Sequence, residues 1–145
     1  MRMVYRRFHE FTVDELYDVL EVRSRVFVVE QRSIYLDLDG LDQEAVHLIC
    51  YEGDRIVGLL RILKPGKMFK EACIGRIIAV DRGKGIGKAM MTEAIRYIRD
   101  VMGEKAIRIE AQVQARRFYE KLGFVVDSDE FDDGGIPHRE MLLLL

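Results

Sequence analysis

A glycine-rich, basic segment directly follows a run of apolar, β-prone residues in the middle of the chain. The apolar run is residues 77–80, that is Ile77, Ile78, Ala79 and Val80, and after it come Arg82, Gly83, Lys84, Gly85, Ile86, Gly87 and Lys88. Apolar residues then recur at helical spacing to about residue 102. The first N–H groups of a helix lack partners and attract anions, and glycines let them approach closely. The segment predicts a phosphate or diphosphate site.

Two common nucleotide motifs do not fit this segment. A Walker A loop requires Gly at the position of Arg82 and Ser or Thr at that of Ala89. The dinucleotide fingerprint requires a third Gly where Lys88 or Met90 stands, depending on its starting glycine. Two alternatives remain, namely an Arg-x-x-Gly-x-Gly phosphate loop from Arg82 to Gly87 and a glycine-rich turn without a ligand.

Length and charge restrict the class of protein. The chain has 145 residues and a formal charge of −2, with acidic and basic residues interspersed. We expect one domain over residues 1–145 and no nucleic-acid or membrane partner. Cys50 and Cys73 lie in apolar, strand-like runs, which favours buried, reduced thiols of a cytoplasmic protein. No metal-ligand spacing joins them to the histidines, so no metal is expected.

The apolar periodicity predicts the order βαβββαβαββ. Thr12 and Glu15 form a capping-box pattern before the first helix. The expected helices are 13–29, 86–102 and 114–122, and the expected strands are 3–9, 46–51, 55–63, 73–80, 106–111, 124–126 and 138–144. Strand 73–80, a helix and strand 106–111 make one parallel crossover, so we predict an α/β fold, a mixed sheet with helices on both faces.

These segments resemble the GCN5-related N-acetyltransferase (GNAT) superfamily. The loop from Arg82 to Gly87 resembles its acetyl-CoA loop, and residues 118–124 resemble its second signature. Residues 26–31, 111–112 and 134–141 are similar to the ElaA-like branch. The resemblance implies the acyl-CoA N-acyltransferase fold, acetyl-CoA as cofactor, and acetyl transfer to a primary amine by direct attack in a ternary complex. A non-catalytic acyl-CoA-binding sensor of the same fold is the alternative.

The resemblance also implies roles for residues on the cofactor side. Tyr119 is expected to protonate the coenzyme A thiolate, with Phe118 and Leu122 facing the core; packing beside the pantetheine is the alternative. The backbone of residues 77–80 is expected to pair with the pantetheine arm, with the Ile78 amide donating to the oxyanion. Gln112 is expected to bind the arm or a water, or else to cap the following helix.

The general base is not determined by the sequence. A lysine-like amine has a pKa of about 10.4 and must lose a proton before it attacks, so a base or a water path is useful. The candidates are Glu30, His47 and Glu110. Glu30 is preferred because it ends an apolar run beside the acidic segment 30–42. A structural role is favoured for His47, and an ion pair with Arg108 would explain Glu110.

Other residues are assigned to the acceptor side. Gln31 and His138 are expected to line this site, and Arg76, alone in an apolar strand, to meet an acid or the acceptor's carboxylate. Segment 30–42 is either a solvated connection or an acidic edge that attracts a cationic amine. The leucines at 142–145 belong to a buried strand or to a homodimer interface.

Overall fold

The computed structural model describes residues 1–80 and 83–145. Its strands are β1 (Arg2–Arg7), β2 (Val46–Glu52), β3 (Arg55–Leu63), β4 (Ala72–Ala79), β5 (Ala106–Gln112), β6 (Val125–Val126), β7 (Phe131–Asp133) and β8 (Ile136–Leu144). Its α-helices are α1 (Val13–Arg23), α2 (Ile86–Arg96) and α3 (Arg116–Lys121). π-Helical stretches at Ser24–Glu30 and Tyr97–Val101 extend α1 and α2. Short 3₁₀ turns occupy Phe8–Glu10, Asp42–Glu44 and Val113–Ala115. The predicted element order is confirmed, apart from the additional β7.

The strands form one mixed sheet that opens at its centre. Their order is β1-β2-β3-β4-β5-β8-β6, and β7 pairs with β8. All pairs are antiparallel except β4 with β5. That parallel pair joins only Ala72 to Ile107 and Cys73 to Arg108, at the N-terminal ends of the strands. Beyond Cys73 the ladder stops, so β4 and β5 leave a gap between them.

Helices cover both faces of the sheet, as predicted. On one face, Val19 and Val22 of α1 pack in a cluster with Ile49, Leu59 and Ile78. On the other face, α2 and α3 enclose a larger core whose members include Met90, Met91, Ala94, Tyr119 and Phe124. Within the described residues, no helix is long and apolar enough to cross a bilayer.

Several local predictions are confirmed. Thr12 Oγ1 accepts a hydrogen bond from the Glu15 amide at 3.1 Å, and Glu15 Oε1 accepts one from the Thr12 amide at 2.9 Å, which completes the capping box. Glu52 pairs with Arg55 across a two-residue turn. Cys50 and Cys73 are buried free thiols. Burial raises the pKa of the Cys73 thiol to about 12.

Two terminal segments differ from the prediction. β1 ends at Arg7 rather than at residue 9, because a 3₁₀ turn follows. Segment 127–135, expected to be a connection, contains β7 and a turn in which Gly134 and Gly135 have φ values of 61° and 82°. Positive φ at both central residues is what a tight hairpin turn requires. The leucines at 142–144 belong to β8, between β5 and β6; Leu142 and Leu143 are partly buried, and Leu144 is 75% exposed.

Six charged side chains connect α1, the loop after it, β3 and β4 in a closed circuit. We call this set the charge ring: Arg23, Asp37, Arg76, Asp39, Arg61 and Asp42. In that order around the ring, the N···O distances are 2.9, 2.8, 3.2, 2.6, 3.1 and 2.6 Å, the last joining Asp42 to Arg23. Each arginine contacts two aspartates and each aspartate two arginines, so the charges balance.

The charge ring corrects the expectation of a free acidic edge at segment 30–42. Asp37 and Asp42 are buried, with 4% and 8% of their side chains exposed. Burial alone would raise the pKa of Asp39, but hydrogen bonds from Arg61 outweigh it and lower that pKa to about 2. The aspartates therefore neutralise buried arginines, because an unpaired arginine inside the fold would be costly. They are not a free acidic edge, and the solvated connection is seen in exposed residues of the same segment, such as Ile34 and Leu36.

Replacing Asp42 with Asn tests the contribution of the ring. The change leaves Arg23 and Arg61 each short of one charged partner, so we expect the free energy of unfolding to fall by about 3 kcal/mol. Urea denaturation monitored by circular dichroism measures it. The control is Glu44→Gln, since Glu44 makes an exposed pair with Lys67 and little change is expected. Equal midpoints for Asp42→Asn and wild type would contradict this role.

Candidate active site

A cleft of about 1220 Å³ occupies the gap between β4 and β5. Every predicted site residue that the structure describes lines it: Glu30, Gln31, residues 76–80 and 83–88, Gln112, Phe118, Tyr119 and His138. Arg82, also predicted, lies outside the described residues. Ser33, Tyr35, Glu110 and Asp133 line the cleft as well. The sequence therefore predicted a set of residues that the fold brings together.

The glycine loop meets the cleft at the start of α2. Gly83 and Gly85 have φ values of 85° and 73°, and Gly85 is the N-cap residue of the helix. Residues other than glycine rarely adopt this backbone conformation, which explains why both positions are glycine. The unpaired first amides of α2 and the side chains of Lys84 and Lys88 border the same space. This end of the cleft fits a diphosphate.

The register of β4 with β3 determines which amides face the gap. The Val80 amide donates to the Val57 carbonyl at 2.8 Å, and Ile78 pairs with Leu59. Amides alternate sides along a strand, so the Ile78 amide also points toward β3 and the Ala79 amide points toward the gap. This register argues against Ile78 as the oxyanion donor. Ala79 is the better candidate.

A β-bulge precedes these residues. Between the pairs Leu59–Ile78 and Arg61–Gly75, β4 has one more residue than β3. Arg76 lies in the bulge with a φ of 52°, an unfavourable conformation for a residue with a side chain. Its pairing with Asp37 and Asp39 holds it there. The expectation that Arg76 meets an acid is confirmed, and its charge is balanced within the protein.

Tyr119 is buried in the core and lines the cleft. Phe118 and Leu122 pack against the core as predicted but are only partly buried, whereas Tyr119 is 9% exposed and belongs to the core itself. Its ring lies 5.1 Å from that of Phe118 and 6.1 Å from that of Phe124. Among the described residues its hydroxyl has no hydrogen-bond partner, and burial raises its pKa to about 12. The phenol is therefore a proton donor at neutral pH.

Another part of the cleft is lined by the side-chain amides of Gln31 and Gln112 and by His138. Gln112 donates to Gln31 at 3.4 Å and accepts from Gln114 at 2.9 Å, and it does not cap the following helix through its side chain. His138 stacks on Phe131 with ring centroids 6.0 Å apart. Its Nδ1 lies 2.7 Å from the Ile136 carbonyl. Ser33 Oγ donates to the Gly134 carbonyl, so the loop after α1 contacts the β7–β8 hairpin.

The three candidate bases have different surroundings. His47 is buried with Nε2 3.0 Å from the Asp42 carbonyl, and burial lowers its pKa, so the favoured structural role is supported. Glu30 is exposed at the edge of the cleft. Glu110 is not paired with Arg108, because Arg108 contacts Glu71, Asp127 and Glu140. Burial and a hydrogen bond with Asp133 raise the pKa of Glu110 to about 7.

Sequence similarity extends over nearly the whole chain. The family model of the acetyltransferase (GNAT) domain matches residues 13–145. ElaA of Escherichia coli is 32% identical over 136 residues, which cover 91% of this chain and 89% of ElaA. A UPF0039 protein of Synechocystis is 32% identical over 141 residues, which cover 95% of this chain and 92% of that protein.

Solved structures share the fold described above. An acyl-CoA N-acyltransferase from Pseudomonas aeruginosa has a TM-score of 0.91 at 28% identity, over 99% of both chains. Escherichia coli ElaA also has a TM-score of 0.91, at 29% identity and with the same coverage. These matches bear out the predicted resemblance and the acyltransferase architecture.

The raised pKa of Glu110 predicts a pH-dependent effect on stability. The folded chain keeps this proton up to about pH 7, whereas an unfolded chain loses it near 4.5, so stability falls as the pH rises between these values. Glu110→Gln removes the charge and should make the protein more stable than wild type at pH 8, with a smaller difference at pH 5. Urea denaturation at both pH values measures this. A difference that does not depend on pH would contradict it.

Proposed function

The chain belongs to the acetyltransferase (GNAT) family, and from that premise we propose that it transfers an acetyl group from acetyl-CoA to a primary amine. The acceptor is a small molecule or a protein, and its amine attacks directly while both substrates are bound. The observation that carries the proposal is Tyr119, a buried side chain whose hydroxyl has no partner among the described residues. It lines the same cleft as a glycine loop suited to a diphosphate.

The donor is held along the gap in the sheet. In our proposal the start of α2, with Lys84 and Lys88, binds the diphosphate. Residues 77–80 and Gln112 bind the pantetheine arm, and the Ala79 amide donates to the thioester carbonyl oxygen. Phe118 packs beside the arm. The glycines support this arrangement because backbone can approach the ligand closely there.

Tyr119 supports catalysis rather than binding alone. Acetyl-CoA supplies an activated acyl thioester. As the sulfur leaves, negative charge develops on it, and a hydrogen bond from Tyr119 Oη would stabilise that charge. A non-catalytic acyl-CoA sensor, the alternative, needs the phosphate loop but has no use for a buried proton donor.

The acceptor enters from the side bordered by Glu30, Gln31 and His138. Glu30 is exposed, so we propose that it contacts a cationic amine at the edge of the cleft and does not take its proton. Arg76 lines the cleft too, but its pairing with Asp37 and Asp39 leaves no excess positive charge for an acceptor carboxylate.

Thiol release from acetyl-CoA, detected with a disulfide dye, tests the proposed function. The panel includes polyamines, aminoglycosides, amino acids and lysine-containing peptides. Turnover with any amine, together with acetylated product identified by mass spectrometry, would support the enzyme. Binding of acetyl-CoA without turnover of any amine would favour the sensor.

Tyr119→Phe tests the proton donor with a minimal change of shape. It removes only the hydroxyl, so we expect kcat to fall roughly tens-fold with little change in acetyl-CoA affinity. The control is Tyr17→Phe, which removes an exposed hydroxyl from α1. A chemical step as fast as that of wild type, measured in single turnover, would exclude Tyr119 as the donor.

A further inference from the structure

A pair of carboxylates from two different elements faces the cleft. Glu110 lies on β5 between the buried residues Ile109 and Ala111, so its side chain is on the opposite side of the strand, toward the cleft. Asp133, at the end of β7, lines the same cleft, and its carboxylate is one of the groups that raise the pKa of Glu110. Two carboxyl groups from different elements therefore border the same part of the cleft.

The arginines near Glu110 and Asp133 are paired with other carboxylates. Glu140 of β8 lies directly across from Glu110, but its carboxylate contacts Arg108. Arg76 of β4 also acts on Glu110, yet it is committed to Asp37 and Asp39 in the charge ring. Among the described residues, the negative charge of the pair is thus not balanced by an arginine of its own.

An independent feature of the same cleft points to a ligand. Tyr119 is about nine-tenths buried and its hydroxyl has no partner within the described residues. Because Tyr119 lines the cleft and its hydroxyl is not among the fully buried unpaired atoms, this hydroxyl can bind a ligand or a water there. One wall therefore offers a proton donor that needs an acceptor, and another offers carboxylates that need a cation.

We propose that Glu110 and Asp133 form the ammonium subsite of the acceptor, and that the Glu110 carboxylate takes the proton the amine must lose before it attacks. This inference rests on the proposed function. Asp133 is a positioning residue, which holds Glu110 and maintains its affinity for the proton. Glu110 is more suitable than Glu30, because it is partly buried while Glu30 is exposed.

The protons balance in this scheme. The ammonium gives one proton to Glu110, and its nitrogen forms a bond to the acyl carbon as the carbon–sulfur bond breaks. Tyr119 gives its proton to the departing sulfur, and the second proton leaving the nitrogen restores the phenol. Glu110 later releases its proton to water. The sum is an ammonium and a thioester giving an amide, a thiol and one proton.

The subsite also defines the class of acceptor. An ammonium is attracted to Glu110 and Asp133, whereas an α-carboxylate beside it would be repelled by both. Arg76 does not compensate, since its charge is balanced in the ring. The acceptor is therefore a cationic primary amine without a neighbouring carboxylate. A zwitterionic amino acid is excluded.

Binding and rate measurements on the full chain test the subsite. The probes are n-butylammonium and glycine, titrated calorimetrically at about pH 8 with CoA present. Butylammonium should bind the wild-type protein. Its affinity should fall roughly tenfold in Glu110→Gln and should also fall in Asp133→Asn. Glycine should not bind. Cooperative unfolding shows whether each variant is folded. If Glu110→Gln does not fold, Glu110→Asp is measured in its place. The matched control is Glu130→Gln, an exposed carboxylate of the same hairpin region, which should bind like wild type.

The pH profile separates a base from a structural carboxylate. With butylamine as acceptor, log kcat/KM should rise with pH and change slope near 7, because Glu110 must be ionised to take the proton. Asp133→Asn should move this change of slope to lower pH, and Glu110→Gln should abolish it. A purely structural role would leave the position of the change of slope unaltered.

The outcomes distinguish this inference from the proposed function. Glu110-dependent binding without thiol release would support the subsite and contradict the enzyme. Thiol release with binding and pH profile independent of Glu110 would support the enzyme and overturn the subsite. Failure of butylammonium to bind wild type, or equal binding of glycine, would also overturn it.

Discussion

The charge ring connects the elements on which the cleft depends. Three arginines and three aspartates alternate in a closed circuit that includes α1, the following loop, β3 and the bulge of β4. Buried ion pairs add little net stability, because desolvation offsets attraction, but they allow only arrangements in which every charge is paired. Here that requirement places Arg76 at a φ of 52° in the bulge. Just before this bulge β4 and β5 cease to pair, and the gap that follows is the cleft.

The ring also influences the chemistry of the cleft, because it neutralises Arg76, which lines the cleft. Arg76 would otherwise be a free cation beside Glu110, and it would favour an ionised carboxylate with low proton affinity. With Arg76 paired, burial and Asp133 dominate, and the pKa of Glu110 rises to about 7. Tyr119 lies between Phe118 and Phe124, and burial alone raises its pKa to about 12. The base and the proton donor that we propose thus have well-separated pKa values and share one cleft, as proton-coupled acyl transfer requires.

Features with local signals were predictable from the sequence, and those made by distant contacts were not. The capping box at Thr12, the glycine loop before α2 and the strand alternation depend on neighbours a few residues away. The charge ring does not, since Arg76 and Asp37 are 39 residues apart. An ion pair with Arg108 is the alternative role for Glu110 because the two share a strand face, but Arg108 pairs instead with Glu71 and with Glu140 of β8. The burial of Tyr119 could not be decided from a helix of six residues, where periodicity is weak.

A crystal structure of the protein with CoA would test the central claim most directly. We expect the diphosphate at the start of α2 and the pantetheine arm in the gap between β4 and β5, hydrogen-bonded to the Ala79 amide. We also expect the sulfur within hydrogen-bonding distance of Tyr119 Oη. CoA bound on another surface, or a sulfur directed away from Tyr119, would contradict it.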